Sequence, residues 1–194
     1  MKKLFVIALV SSLSVTALQA QHTSFGVKAG YNSSSVQIEN ANDYDSKSGF
    51  HVGGLAHIHV TKHFAVQPEL MYSTQGGESG NTKLKINYIN APVLVQYMVN
   101  NGFRLQTGPQ IGFLTSAEQK IGDVEVDIDD AYDAVDFSWV FGASYIFKSG
   151  IGIDARYNLG LTDISDNQSF EAKNRVLQVG LFYQFKKNGK PHKK

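Results

Sequence analysis

The chain has 194 residues, with 18 Lys and Arg against 17 Asp and Glu, so it lacks the basic excess that nucleic-acid binding requires. It contains no cysteine, which excludes both a disulfide framework and a thiolate metal site. After the first twenty residues, every apolar run is interrupted by Gly, Asn, Gln or a charge. Such runs do not cross a bilayer as helices, so any further membrane role must come from strands.

Residues 1–20 have the pattern of a secretory signal peptide. Lys2 and Lys3 supply a cationic start, residues 4–18 are mainly apolar, and Ala20 provides a small residue at the cleavage position. We predict cleavage before Gln21. Loss of two lysines changes 18 basic residues to 16 against 17 acidic ones, a mature charge of −1. The remaining chain is predicted to form one domain over residues 21–185, followed by a short basic tail at 186–194.

From residue 24 onward, large apolar residues alternate with small or polar ones at a period of two, which is typical of strands with two different faces. We predict eight strands, at residues 24–33, 49–60, 64–74, 83–99, 103–114, 136–147, 151–161 and 174–185. Pro68, Pro92 and Pro109 fall inside them and each removes a ladder donor. Local bulges would accommodate these prolines, and an apparent change of parity between Ile86 and Ile89 places one bulge in the fourth strand.

The predicted connections alternate in length. Residues 61–63, 100–102 and 148–150 form tight turns, whereas residues 34–48, 75–82, 115–135 and 162–173 form longer loops. An outer-membrane barrel has short periplasmic turns and long external loops. The sequence therefore predicts an all-β fold, an eight-stranded antiparallel up-and-down transmembrane β-barrel with both termini in the periplasm.

The two faces of these strands differ in chemistry. One face carries large apolar residues and no charge, which a lipid-facing surface requires because Lys or Arg at its centre costs about 2–4 kcal/mol. The other face is rich in Gly, Gln and Asn, which suits a narrow interior better than the exterior of a soluble barrel. Aromatic residues gather at both rims, as in a membrane barrel: Phe25, Tyr97, Phe103, Phe147 and Phe185 at one, and Tyr31, Phe50, Tyr72, Phe113 and Phe137 at the other.

Two segments, Tyr88-Ile89-Asn90-Ala91-Pro92-Val93-Leu94-Val95-Gln96-Tyr97 and Ala155-Arg156-Tyr157-Asn158-Leu159-Gly160-Leu161-Thr162-Asp163-Ile164, carry a family resemblance. The chain resembles the PorT-like outer-membrane β-barrel family of the Bacteroidetes over nearly all of its mature length. The family usually has an acidic residue before an Ile-Pro pair where this chain has Asn90-Ala91. The resemblance implies an eight-stranded barrel in the outer membrane and little chemistry. One member of the family assists a secretion and gliding system, and fold-level similarity does not carry that role across to this chain.

Five charged residues fall on the predicted interior face: Lys28, Glu69, Arg104, Asp154 and Arg156. They could form a gate or a substrate site. They could also form a salt-bridged plug, which the geometry of a barrel just wide enough for side chains favours.

Two further groups could bind metal ions. His51, His57 and His59 share a face of the second strand, but hydrogen-bonded interior histidines are the more common case. The third long loop contains Asp123, Glu125, Asp127, Asp129 and Asp130, which could attract calcium. The loop lacks the helix-loop-helix calcium signature. Its alternation with Val124, Val126 and Ile128 favours a hairpin with one solvated acidic face.

We therefore predict a non-enzymatic outer-membrane protein with a plugged polar interior, no cofactor and no metal, acting through external loops in a structural, adhesion or secretion-accessory role. Its expected partners are the outer-membrane bilayer, the barrel-assembly machinery and an external or secretion-system protein. A small-solute channel is the alternative. An enzyme is a third possibility, but Ser138 and Ser144 have no histidine nearby in the sequence.

Overall fold

The computed structural model describes residues 23–38, 45–80, 82–99, 101–122, 124–128, 134–162 and 172–185. The predicted signal peptide and the basic tail lie outside these residues. Nine strands are present in the described chain: β1 Thr23–Ile38, β2 Asp45–His59, β3 Phe64–Ser79, β4 Thr82–Met98, β5 Phe103–Ile121, β6 Val124–Asp127, β7 Val135–Ile146, β8 Ile151–Gly160 and β9 Ala172–Gln184. Among the described residues, no helix has the length and hydropathy needed to cross a membrane.

Eight of these strands form a closed antiparallel barrel. The hydrogen-bonded order is β4-β3-β2-β1-β9-β8-β7-β5, and pairing of β4 with β5 closes the ring. The short strand β6 pairs only with the far end of β5 within the described chain, where it forms a hairpin. The predicted eight-stranded fold is therefore confirmed. We call the end of the barrel that holds the turns β2–β3, β4–β5 and β7–β8 the turn end, and the opposite end the loop end.

Side chains alternate across the barrel wall as the sequence indicates. Large apolar side chains on the outer face are exposed, for example Phe25 at 64%, Leu70 at 62% and Leu181 at 60%. The ten aromatic residues predicted for the two rims all lie exposed on this face. The inner face buries amides and charges, but it also buries apolar residues that the sequence reasoning did not assign to it, among them Leu55, Met71, Leu94 and Phe182.

Several strands continue further toward the loop end than predicted. β1 extends to Ile38 and β5 to Ile121. β3 ends at Ser79 and β4 begins at Thr82, so the predicted long loop at 75–82 is wrong, and a hairpin with a tight turn takes its place. Beyond the apolar band the strands lose their apolar-polar alternation while the backbone ladder continues, so the period-two signal ends before the strand does.

The expected bulge is present but lies in a different strand. Leu84, Ile86 and Tyr88 are all buried on the inner face, so β4 keeps its parity. The pairs Asn87↔Ser116 and Tyr88↔Leu114 show a register shift that leaves Thr115 as an extra residue in β5. Ile86 is large and apolar, the residue type expected to face lipid, and its inward position accounts for the apparent change of parity.

The prolines are accommodated without bulges. No register shift occurs at Pro68, Pro92 or Pro109. Each borders a gap in the ladder with one neighbouring strand: Pro68 with β2, Pro92 with β3 and Pro109 with β4. A missing donor therefore interrupts the pairing on one side only, and the prediction of local bulges at these positions is wrong.

Candidate functional site

A cluster of four charged side chains occupies the middle of the barrel interior. Lys28 comes from β1, Glu69 from β3, and Asp154 and Arg156 from β8. No side chain of the four is more than 2% exposed. Two positive and two negative groups balance one another, so the cluster as a whole is neutral. We call these four residues the interior ion network.

Direct ion pairs hold the network together. Lys28 Nζ lies 3.2 Å from both Glu69 Oε1 and Asp154 Oδ1. Arg156 donates through Nη1 and Nη2 to the two oxygens of Glu69, at 2.9 and 3.0 Å, and through Nε to Asp154 at 3.0 Å. A two-pronged guanidinium–carboxylate contact is both stronger and more directional than a single hydrogen bond. Each charge therefore has two oppositely charged neighbours.

Amide side chains from neighbouring strands complete the shell around the carboxylates. Gln67 Nε2 donates to Glu69 Oε1 at 2.7 Å, and Gln106 Nε2 donates to Asp154 Oδ2 at 2.5 Å. Gln96 Nε2 in turn donates to Gln106 Oε1 at 2.8 Å. The network and its amide shell together therefore link residues of β1, β3, β4, β5 and β8 across the lumen.

Arg104, the fifth predicted interior charge, lies apart from the other four. It is buried near the turn end, where its Nη2 donates to Gln184 Oε1 at 3.1 Å. The sequence predicts correctly that Arg104 faces the interior. Alternation along a strand does not, however, predict how high a side chain lies along the barrel axis.

Arg156 also requires space on the neighbouring strand: a Cβ added at Gly142 would lie 2.8 Å from the Cβ of Arg156.

Toward the loop end, the interior continues as a layer of amides and hydroxyls around Asn32. Asn32 Nδ2 is 2.9 Å from Ser73 Oγ, and Asn32 Oδ1 is 2.7 Å from His51 Nδ1 and accepts from Gln178 Nε2 at 3.0 Å. Asn158 Nδ2 donates to Gln178 Oε1 at 3.2 Å. This layer is neutral and hydrogen-bonded to strands around the barrel.

An apolar cluster lies above that layer, and the sequence reasoning missed it. It consists of Leu84, Ile86, Tyr88 and Ala117, with Leu114 and Ile128 packed against it. A sequence signal for this cluster does exist. Leu84, Ile86 and Tyr88 are spaced two residues apart, and they fall on the same face of β4 as the inward residues Asn90 and Gln96. Its neighbour Lys47 donates through Nζ to the Leu84 carbonyl at 2.7 Å, and burial lowers the pKa of Lys47 against the opposing attraction of Glu78.

The acidic loop is described only in part. β6 pairs with β5 in the register Glu118↔Asp127 and Lys120↔Glu125, so the hairpin expected here is present. Asp123, Asp129 and Asp130 lie outside the described residues. Within the described chain, no three His, Asp or Glu side chains are grouped so that they could hold a metal ion.

The two serines considered for catalysis point into the lumen. Gln110 Nε2 donates to Ser138 Oγ at 2.9 Å. Ser144 Oγ is buried without a hydrogen-bond partner. Among the described contacts neither hydroxyl is hydrogen-bonded to a histidine, so no nucleophile and base are brought together here.

Comparison with known proteins shows the family to which the chain belongs. A family profile described as an outer membrane protein beta-barrel domain matches residues 19–166. The chain belongs to this family. None of the curated proteins compared with the chain matches it.

Solved structures of outer-membrane proteins share the family fold. The Neisserial surface protein A is 15% identical, with a TM-score of 0.62, and the match covers 85% of this chain and all of that one. The attachment invasion locus protein Ail of Yersinia pestis is also 15% identical, with a TM-score of 0.57 and the same coverage. At this identity the likeness concerns the barrel fold, and together with the family it supports an outer-membrane location.

Proposed function

We propose that this protein is a closed, non-enzymatic outer-membrane barrel whose interior ion network acts as a plug and whose loop end makes its external contacts. The signal peptide at residues 1–20, cleaved before Gln21, would deliver it to the periplasm, and the barrel-assembly machinery would insert it. The turn end would then face the periplasm, in agreement with the short periplasmic turns of such barrels.

The interior ion network is the observation that supports a closed barrel. Its ion pairs of 2.9–3.2 Å join β1, β3 and β8 across the lumen. A conducting path through this layer would have to separate paired charges that are shielded from water. Separating a buried pair costs several kcal/mol, because each ion is left without a partner in a medium of low dielectric constant.

One polar layer and one apolar cluster, both nearer the loop end, support the same conclusion. The Asn32 layer and the loop-end cluster around Leu84 lie in series with the ion network. A solute would have to displace all three in turn. A small-solute channel is therefore the less favoured alternative, and a measurement can separate the two.

Conductance across a planar bilayer tests the proposal directly. We expect the wild-type protein to show no stable single-channel steps. Arg156→Ala should introduce steps, because it removes the guanidinium that bridges Glu69 and Asp154. Glu118→Gln alters a surface ion pair outside the lumen and serves as the control, with no conductance expected. Stable wild-type steps that Arg156→Ala leaves unchanged would favour the channel instead.

Orientation is tested by proteolysis of intact cells. An external loop end predicts cleavage of the acidic loop at residues 123–133 by an added protease, with the turn at 61–63 protected until the outer membrane is permeabilised. Cleavage at 61–63 in intact cells would contradict this orientation.

The resemblance to the PorT-like family of the Bacteroidetes supports a further part of the proposal, that the external partner is a protein of a secretion or surface system. Cross-linking from cysteines introduced at Lys83 and Lys120, which lie on the outer face near the loop end, would identify such a partner. The same substitutions at Lys62 and Lys148 in the turns would serve as controls.

A further inference from the structure

The turn end of the barrel carries lysines that no acidic residue neutralises. Lys62 lies in the turn between β2 and β3, Lys148 lies in the turn between β7 and β8, and both side chains are exposed. The segments that contain these turns, residues 46–68 and 137–153, include no Asp or Glu. The next carboxylates along the chain, Glu69 and Asp154, are buried in the interior ion network. Among the described residues, the two turn lysines therefore have no carboxylate beside them.

The segment that follows β9 adds positive charge at the same end. The backbone of β9 reaches the turn between β7 and β8, where Gln184 N donates to the Gly150 carbonyl oxygen at 2.8 Å. Residues 186–194 then contain five lysines and no Asp or Glu. We call these five, with the two turn lysines, the turn-end lysines: Lys62, Lys148, Lys186, Lys187, Lys190, Lys193 and Lys194.

Lysines at the loop end have a different environment. Lys85 Nζ lies 2.9 Å from Glu118 Oε2, and Lys83 Nζ lies 3.6 Å from Glu78 Oε1. Residues 123–133, in the acidic loop, contain six acidic residues and no Lys or Arg. Unopposed positive charge is therefore confined to the turn end and is not a general property of the barrel surface.

The turn-end lysines adjoin an aromatic rim. Three aromatic pairs are in ring contact there, with centroids 5.0–5.3 Å apart: Tyr145 with Phe147, Tyr183 with Phe185, and Phe64 with Tyr97. Each pair includes a phenylalanine within two residues of a lysine: Phe147 before Lys148, Phe185 before Lys186, and Phe64 after Lys62. Aromatic belts of membrane proteins lie at the level of the lipid headgroups.

This spacing places the turn lysines in the headgroup layer. A strand advances ~3.4 Å per residue, so Lys62 and Lys148 lie at most about 7 Å further from the bilayer centre than the rim phenylalanines beside them. The headgroup layer on each side of a bilayer is itself about 5–7 Å thick. Lysine also has a long flexible stem that lets its amino group reach toward the interface. The amino groups of Lys62 and Lys148 are therefore within reach of lipid phosphates, which favours a lipid over a soluble partner beyond the membrane.

We propose that the turn-end lysines bind the phosphate groups of anionic phospholipids, such as phosphatidylglycerol, in the leaflet that this end of the barrel faces. Each lysine near a membrane surface attracts anionic lipid by an amount that corresponds to about fivefold in affinity. The proposal rests on the membrane location given under the proposed function, and on the orientation given there the leaflet is the periplasmic one.

Quenching of a single tryptophan measures which lipids adjoin each rim. The folded barrel, with residues 186–194 present, is reconstituted into phosphatidylcholine vesicles. Trp139→Phe removes the natural tryptophan, and Phe147→Trp places a new one beside Lys148. Phe137→Trp in the same background is the matched control at the loop end of the same strand. Phosphatidylglycerol or phosphatidylcholine that carries a nitroxide near the headgroup is then added, and the ratio of quenching gives the relative affinity.

We expect phosphatidylglycerol to be preferred at least about fivefold at Phe147→Trp and not at Phe137→Trp. Lys62→Gln with Lys148→Gln should lower the preference, and further deletion of residues 186–194 should abolish it. Salt at 1 M should also abolish it, because the Debye length falls to about 3 Å. Lys83→Gln with Lys120→Gln removes two exposed lysines from the loop end and should leave the preference unchanged.

The proposal is wrong if phosphatidylglycerol is not preferred at Phe147→Trp, if it is preferred equally at Phe137→Trp, or if the preference survives loss of all seven turn-end lysines. The orientation is decided separately by proteolysis of intact cells. An external turn end would overturn the proposed orientation, whereas the lipid preference in vesicles would still decide whether the turn-end lysines bind anionic phospholipid.

Discussion

Replacing Arg156 by methionine removes the central cation of the interior ion network while keeping a side chain of similar length. Glu69 loses two hydrogen bonds, of 2.9 and 3.0 Å, and Asp154 loses two, of 3.0 and 3.3 Å. Lys28 then faces two buried carboxylates alone, which leaves a net charge of −1 in the lumen. Breaking a buried ion pair by removing one partner costs about 3–5 kcal/mol, and we expect that loss in the free energy of unfolding.

Urea unfolding in lipid vesicles measures this loss. Trp139 is the single tryptophan, lies on the outer face, and reports on the barrel wall by its fluorescence. The control is Lys85→Met, which breaks an exposed pair with Glu118 of 2.9 Å and should cost less than ~1 kcal/mol.

A double variant distinguishes charge imbalance from lost packing. Arg156→Met combined with Glu69→Gln removes one charge of each sign and leaves the pair of Lys28 and Asp154, 3.2 Å apart. We expect it to recover at least half of the stability lost in Arg156→Met, because residues in contact have interaction energies of up to ~3 kcal/mol. If Arg156→Met costs no more than Lys85→Met, or if the double variant recovers nothing, the network does not stabilise the barrel as argued.

Three further substitutions test other parts of the molecule. Leu181→Arg places a charge on the outer face of β9 and should destabilise the barrel by about 2–4 kcal/mol in vesicles, measured by the same unfolding; a neutral effect would argue against a lipid-facing wall. Gly142→Val should displace Arg156, since even a Cβ there would lie 2.8 Å from its Cβ, and folded yield judged by heat-modifiable gel mobility should fall. Leu84→Ala should open the loop-end cluster at a cost of about 2–5 kcal/mol, with faster amide hydrogen exchange confined to β4 and β5; unchanged exchange there would contradict a packed cluster.

The outer face was the most predictable part of the fold, because lipid imposes one simple rule on it. Outward positions such as Val27, Leu70 and Leu181 must be apolar wherever they cross the bilayer, so period-two alternation marks both the strands and their orientation. The strand ends were less predictable: Glu78 and Lys83 remain paired in the ladder although both are charged, so the apolar-polar alternation ends before the strands do.

The sequence predicts which charged residues face the interior, but not which of them are in contact. Lys28, Glu69, Arg104, Asp154 and Arg156 were all assigned inward, yet only the strand registers determine that four of them meet and Arg104 does not. For large apolar residues, residue type alone predicts the wrong face at some positions. Ile86 looks lipid-facing by type, but it is fully buried on the inner face, in the loop-end cluster.

The ion network also bears on how the strands pair with one another. A strand that slips by two residues against its neighbour keeps every apolar side chain facing lipid, so the bilayer alone does not select one register. The same slip moves an interior side chain by about 6.8 Å along the barrel. Contacts of 2.9–3.2 Å between Lys28, Glu69, Asp154 and Arg156 would not survive it. Because these residues come from β1, β3 and β8, a slip that changed the relative heights of these strands would leave buried charges unpaired. The interior charges therefore specify the register that the lipid-facing surface leaves open.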